Sequence, residues 1–335
     1  MIAEKGGAMR QERIDLWQEG EYQYPHAFGF RPNLRTSFHE DDTLRPCIVI
    51  VPGGGYTHCS AAEGQIVADT FYAMGAHAAV VTYTCNLLYM EPLHLQPARD
   101  LARAVRILRK RAEEFHIDPD RIVLLGFSAG AHACGTLAEL HGQLCDDLYP
   151  GIAARPDRLV LCYPVITGGE YRHRNSFDAL LGKGASEKER AEWSLELHVP
   201  EDMCPVFLWQ TAEDRSVPVE NSYLMAQALR KKKIPFEHHV FEKGRHGLSV
   251  STQEWEDCIY GEPYTLEQVF RILEQVRSGA LSPQDEAYAG EQLEKFDHWN
   301  DPAFRDPARI RSRGAAVWPQ LLNAWLEQSW DRSGK

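Results

Sequence analysis

Two hydrophobic periods alternate along this chain. Short apolar runs rich in β-branched residues stand at 47–51 (Cys-Ile-Val-Ile-Val), 78–83, 122–125, 159–165, 205–209 and 235–241. Their length and composition predict buried strands. Between them the apolar positions recur at three and four. In 98–115, Leu101, Val105, Leu108, Ala112 and Phe115 share one face with Arg and Glu opposite, which predicts an amphipathic helix. Ser60 and Glu63 have the spacing of a capping box; the helix they open carries Val67, Phe71 and Met74 and stops at Gly75. Further helices are expected at 131–141 and 220–230. Strands and helices thus alternate from 47 to 241, the pattern of an α/β fold: a mostly parallel, doubly wound sheet with helices on both faces.

The flanks are weaker. Residues 1–10 read as disordered, 14–17 and 34–38 as marginal strands, 84–95 as a loop, and 170–197 as irregular with short helical hints. After residue 246 the pattern turns helical: 265–277, a helix opened by Ser282-Pro283, a loop at 297–307, and a last amphipathic helix at 317–330. No internal repeat or low-complexity tract is present.

Composition narrows the class. An apolar fraction of 44% supplies a globular core, and a net charge of −12 with no long basic cluster disfavours a nucleic-acid partner. The eight cysteines are scattered without a C-x-x-C pair, which reads as reduced thiols and a cytoplasmic protein. Residues 1–13 are charged and hold no apolar run, so no signal peptide is expected, and no window has the length of a membrane span.

The chemistry centres on Gly126-Phe-Ser-Ala-Gly130, which follows one predicted strand and opens a helix. That is the context of a nucleophile elbow, a sharp turn that lifts a serine hydroxyl off the sheet end and tolerates only small neighbours. The bland alternative is a Ser that caps a helix in a Gly-rich turn. A serine needs a base, and in hydrolases built on this turn the chain order is Ser, acid, His. His246, in Gly244-Arg-His-Gly247 after the last strand, is favoured over His238 and His239, which lie inside that strand. Either Glu213 or Asp214, after the strand at 205–209, suits the acid. The Gly53-Gly54-Gly55 run after the first strong strand is the oxyanion-hole candidate, with the Ala129 N–H as its partner. No Lys-Ser/Thr follows it, so a phosphate loop is disfavoured. His26, His39, His58, His132 and His173 lack ligand spacing, so no metal and no cofactor is expected, and most of them read as surface or satisfied structural histidines.

Ile48-Val-Ile-Val-Pro-Gly-Gly-Gly-Tyr56, Ser60-x-x-Glu63, Ile117-Asp-Pro-Asp-Arg-Ile122, Gly126-Phe-Ser-Ala-Gly130, Leu161-Cys-Tyr-Pro-Val165, Phe207-Leu-Trp-Gln-Thr211, Val217-Pro-Val-Glu-Asn221 and Gly244-Arg-His-Gly-Leu248 occur in that order. Together they resemble the bacterial α/β-hydrolase serine esterases of the acetyl-xylan and carbohydrate esterase group, BD-FAE-like and hormone-sensitive-lipase-like. The resemblance covers about 30–250 and the last helix. It implies Ser128, Asp214 and His246 as the triad, with Asp214 three residues before Val217-Pro218, and the N–H groups of Gly54, Gly55 and Ala129 as oxyanion donors. It also implies a small-molecule ester or an acetylated oligosaccharide as substrate, with no cofactor and no membrane partner. A general carboxylesterase, a serine peptidase and a non-catalytic binding module are the rivals. On this reading 1–335 is one hydrolase domain, and 252–314 is a helical insertion after the histidine where relatives have a short link. That insertion leaves from the active-site mouth, where a lid, a pocket wall, a homo-oligomer contact and surface decoration are the alternatives.

Overall fold

The computed structural model describes residues 9–299, 301 and 309–331. Nine strands form its sheet: β1 (Met9–Arg10), β2 (Arg13–Asp15), β3 (Asn33–His39), β4 (Arg45–Val51), β5 (His77–Thr82), β6 (Ile117–Phe127), β7 (Arg158–Cys162), β8 (Val206–Thr211) and β9 (Phe236–Phe241). Their order is β1-β3-β5-β4-β6-β7-β8-β9, with β2 also on β3. From β5 across to β9 every pairing is parallel. β3 meets β1, β2 and β5 antiparallel.

The helices are α1 (Gln65–Ala73), α2 (Gln96–Lys110), α3 (Ala112–Phe115), α4 (Ala129–Leu140), α5 (Arg174–Leu181), α6 (Glu187–Ala191), α7 (Leu195–His198), α8 (Glu220–Lys232), α9 (Gln253–Glu256), α10 (Glu267–Arg277), α11 (Glu286–Asp297) and α12 (Trp318–Asp331). Successive strand side chains point to opposite faces, so two cores form. Val49, Val51, Leu124, Leu161 and Leu208 meet α2, α4 and α8 on one side. Ile48, Ile50, Val123, Phe207 and Trp209 meet α1 and α12 on the other. Trp318 anchors α12 there, stacked on Trp209 with ring centroids 5.4 Å apart. Its indole N–H donates to the Ser249 carbonyl at 2.8 Å, which ties α12 to the chain just after His246.

Several expectations change. Met9–Arg10 is a strand paired with β3, not part of a disordered tail; residues 1–8 lie outside the described residues, as do 300 and 302–307 of the 297–307 loop. The helix expected at 98–115 breaks at Arg111, whose φ of −99° interrupts it between α2 and α3. Ser60 makes no capping bond, because Glu63 turns inward to other partners. Among the described residues a capping box is formed instead by Ser186 with Glu189, at α6. The helix expected at Ser282-Pro283 starts at Glu286, where the Asp285 side chain accepts the Tyr288 N–H at 3.0 Å.

The helices after His246 pack on the loop at 84–95. Leu266, Val269, Ile272 and Leu273 join Ala289 and Phe296 of α11 around Leu87 and Leu88. The Gln268 amide clamps Cys85, accepting its N–H at 2.8 Å and donating to its carbonyl at 2.9 Å. Among the described residues no helix is long and apolar enough to cross a membrane.

Candidate active site

β6 ends at Phe127 and α4 begins at Ala129, so Ser128 alone makes the turn. Its φ of 51° and ψ of −118° lie where L residues are strained, and the packing around it over-determines that conformation. Gly130 is what lets the helix start there. A Cβ on it would stand 2.4 Å from the carbonyl oxygens of Val51 and Pro52, so α4 could not cross the end of β4.

The other two sequence candidates converge on this serine. Asp214 sits in the turn after β8, where its Oδ1 accepts the N–H groups of Ser216 and Val217, each at 3.0 Å. That leaves Oδ2 to accept the His246 Nδ1–H at 2.6 Å. The opposite ring nitrogen, Nε2, accepts the Ser128 hydroxyl at 2.8 Å. The Asp214 side chain is 0% exposed and that of His246 20%, so the carboxylate acts through a low-dielectric contact while one imidazole edge stays open. Glu213, the other carboxylate consistent with the spacing, is exposed and among the described residues reaches only the Gly244 N–H at 3.4 Å. His238 and His239 are held elsewhere, by Ser222 at 3.1 Å and by Glu237 at 2.7 Å.

The glycine run lies against Ser128: a Cβ on Gly53 would come within 2.9 Å of the Ser128 Cβ. Its three N–H groups are not equivalent. That of Gly53 is already taken, donating to Glu63 Oε2 at 2.7 Å. Among the described residues those of Gly54, Gly55 and Ala129 meet no acceptor. Gly54 has φ +117°, and a Cβ there would strike the His58 carbonyl at 2.1 Å, so this turn admits glycine alone.

Three residues of the site escaped the sequence reading. Glu63, fully enclosed, joins the two sides of the cleft. Its Oε1 accepts the Tyr163 hydroxyl at 2.6 Å, and that oxygen accepts the Ser249 N–H at 3.0 Å. The Tyr163 ring packs on His246 with centroids 5.0 Å apart. One carboxylate therefore holds the glycine loop and, through Tyr163, the histidine loop. Its motif spacing was visible, but it matched a capping box that the fold does not make. The third residue, His173, was grouped with structural histidines. It stands over Gly55, whose Cβ would lie 3.7 Å from its Cε1, and its Nδ1 bonds the Ser176 hydroxyl at 2.8 Å. Burial, with His246 nearby, lowers its pKa to about 4, so it walls the site as a neutral ring. Its position after β7, at the carboxyl end of the sheet, was the available signal.

Burial raises the Glu63 pKa, against the pull of its Tyr163 and Gly53 hydrogen bonds. The folded state then holds the proton more tightly than the unfolded chain. Stability from this group is present below the ordinary carboxyl pKa and is lost as pH rises through the raised one. Glu63→Gln keeps the shape and removes the charge. Its Tm relative to wild type should climb as pH rises across that window. Its kcat/KM near pH 7 should fall about tenfold, equivalent to about 1.4 kcal/mol of positioning. Thermal melts and pH–rate profiles of the pair check this; an unchanged rate would make Glu63 a packing group only.

A parallel sheet with a serine turn at its centre, an acid after the next-to-last strand and a histidine after the last defines the α/β-hydrolase class. Residues 37–149 match the family model BD-FAE. The chain is 46% identical over 265 residues to endo-1,4-beta-xylanase B of Butyrivibrio fibrisolvens, covering 78% of this chain and 42% of that protein. It is 28% identical over 211 residues to the acetylxylan esterase of Xylanibacter ruminicola, covering 61% and 41%. It thus spans about two fifths of the length of either curated relative, 42% and 41%. Among solved structures, the acetyl ester-xyloside bifunctional hydrolase of Caldicellulosiruptor lactoaceticus aligns at 34% identity with a TM-score of 0.66, over 82% of this chain and 98% of that one. The chain belongs to the α/β-hydrolase esterases of the BD-FAE type.

Proposed function

We propose that this chain is a serine esterase that removes short acyl groups, acetyl first, from a carbohydrate such as an acetylated xylo-oligosaccharide. The observation that carries it is the unbroken line Ser128–His246–Asp214, at 2.8 and 2.6 Å. His246 Nε2 takes the hydroxyl proton as Ser128 Oγ bonds to the ester carbonyl carbon. The oxygen, now negative, is held by the N–H groups of Gly54, Gly55 and Ala129. Asp214 stabilises the imidazolium at Nδ1. The C–O bond to the sugar breaks, and the alkoxide leaves with the proton from Nε2. Water then gives a proton to His246, attacks the acyl-enzyme and releases the acid and free Ser128. The chain acts in this reading as one hydrolase domain whose 252–314 insertion walls the site. The acetyl and xylan preference is supported by the names of the curated acetylxylan esterase and of the acetyl ester-xyloside hydrolase.

The test is acetate release from acetylated xylo-oligosaccharides beside hydrolysis of p-nitrophenyl acetate, butyrate and octanoate. The expected result is sugar deacetylation, with acetate the fastest aryl ester and octanoate the slowest. Turnover of aryl esters without acetate release from the sugar would replace this reading with a general short-chain carboxylesterase.

A further inference from the structure

A crevice of about 460 Å³ lies beside the catalytic groups and is used by none of the steps above. Its volume falls in the range of about 300–1,000 Å³ typical of small-molecule sites. One wall continues from the oxyanion loop and contributes His58 and Ser60; the other comes from the segment after His246 and contributes Tyr260, Lys295, Trp299 and Arg309. Each wall is fastened to a catalytic loop. The Gly54 carbonyl accepts the N–H groups of Thr57 and His58 at 3.0 and 3.4 Å. Shortly past Arg309, the Ser312 N–H donates to Ser251 Oγ at 2.7 Å and its hydroxyl to the Lys243 carbonyl at 2.7 Å. The crevice therefore lies between the continuation of the oxyanion loop and a segment that is tied, at Ser312, to the stretch around His246.

Its lining selects the chemistry of a ligand. Thr57 Oγ1 donates to the Gly54 carbonyl at 2.8 Å and so accepts from His58 Nδ1–H at 3.0 Å, which leaves His58 Nε2 as an acceptor. Burial lowers the pKa of this imidazole, so the ring is neutral. Lys295 rests 4.8 Å from the Phe296 ring centroid and, among the described residues, forms no ion pair. Lys295 is exposed to solvent at the crevice, and covering its ammonium without supplying a counter-charge is costly. A long acyl chain would desolvate these groups for nothing in return. A strongly anionic ligand would face Glu291, Glu294 and Asp301, which outnumber the cations Lys295 and Arg309. An uncharged polyhydroxylated ring suits both features: its C–H faces cover aromatic rings, and its hydroxyls take donors and acceptors alike.

We propose that this crevice is a subsite for an uncharged pyranose unit neighbouring the one that bears the ester. This rests on the carbohydrate reading given above. Calorimetry of unacetylated xylotriose with Ser128→Ala protein tests binding without turnover. The same titration is run with Lys295→Ala or Trp299→Ala added. Melting curves of each variant confirm that it folds; Lys295 is exposed to the crevice and its truncation leaves no cavity in the core. Binding by the parent, weakened about tenfold in each double variant (about 1.4 kcal/mol), supports the subsite. So does a roughly tenfold fall in the ratio of kcat/KM for acetylated xylotriose to that for p-nitrophenyl acetate when Lys295→Ala is made in active enzyme. No binding by the parent, or equal affinity in all three proteins, overturns it. Binding that depends on Lys295 and Trp299, in a protein that releases no acetate from the sugar, would sink the esterase substrate reading and leave the subsite standing.

Discussion

Ser128→Ala lowers kcat on any ester substrate by about six orders of magnitude, to the floor set by the remaining oxyanion donors and binding contacts. In the proposed mechanism the lost atom is the one that bonds to carbon. No other hydroxyl can replace it, because Ser128 alone occupies the turn between β6 and α4, and His246 Nε2 faces its Oγ at 2.8 Å. Stability moves little. The strained φ of 51° is imposed by packing and persists with alanine, and one hydrogen bond of about 1 kcal/mol is removed. Burst and steady-state kinetics with p-nitrophenyl acetate, on protein shown by its melting curve to be folded, read this out. Turnover within tenfold of wild type would remove Ser128 from the mechanism.

Asp214→Asn lowers kcat by about four orders of magnitude, and the reason lies in the acceptor pattern. Oδ1 takes two backbone N–H groups, from Ser216 and Val217. An asparagine must place its oxygen there and its NH2 against His246 Nδ1. That selects the tautomer with a proton on Nε2, which faces Ser128 and cannot accept from it. The loss should fall on kcat with KM near wild type, since Asp214 touches no substrate. Glu213→Gln, which disturbs only the 3.4 Å contact to Gly244, should keep most of the activity. The reverse pattern in the two variants would transfer the acid to Glu213.

What the sequence disclosed follows from how local each signal is. The strand–turn–helix around Ser128 was legible because its requirements, a strand, small neighbours and a helix start, lie within a few residues of that serine. The doubly wound sheet was legible because buried parallel strands are continuous apolar runs. Spacing alone left Glu213 and Asp214 open, since the choice depends on which carboxylate meets two turn N–H groups and a histidine far along the chain; only the resemblance, through Val217-Pro218, pointed to Asp214. Glu63 illustrates the harder case. Its spacing from Ser60 matched a local motif, but burial beside Tyr163 and Gly53 offered the carboxylate better partners than the helix end. The lodging of α10 on the 84–95 loop was invisible for the same reason, being a contact between segments that no periodicity connects, whereas His173 carried only the signal of its place after β7.

The feet of the segment at 252–314 touch. The Ser312 N–H meets Ser251 Oγ at 2.7 Å, next to the anchor that Trp318 makes on Ser249. Whatever lies between them, departure and return are pinned at one place on the sheet's rim. Each doubling of a closed loop adds only about 0.6 kcal/mol of entropy cost, so chain length between those feet is cheap to change, and what ties the stretch to this body is its packing on Leu87 and Leu88 and the Gln268 clamp on Cys85.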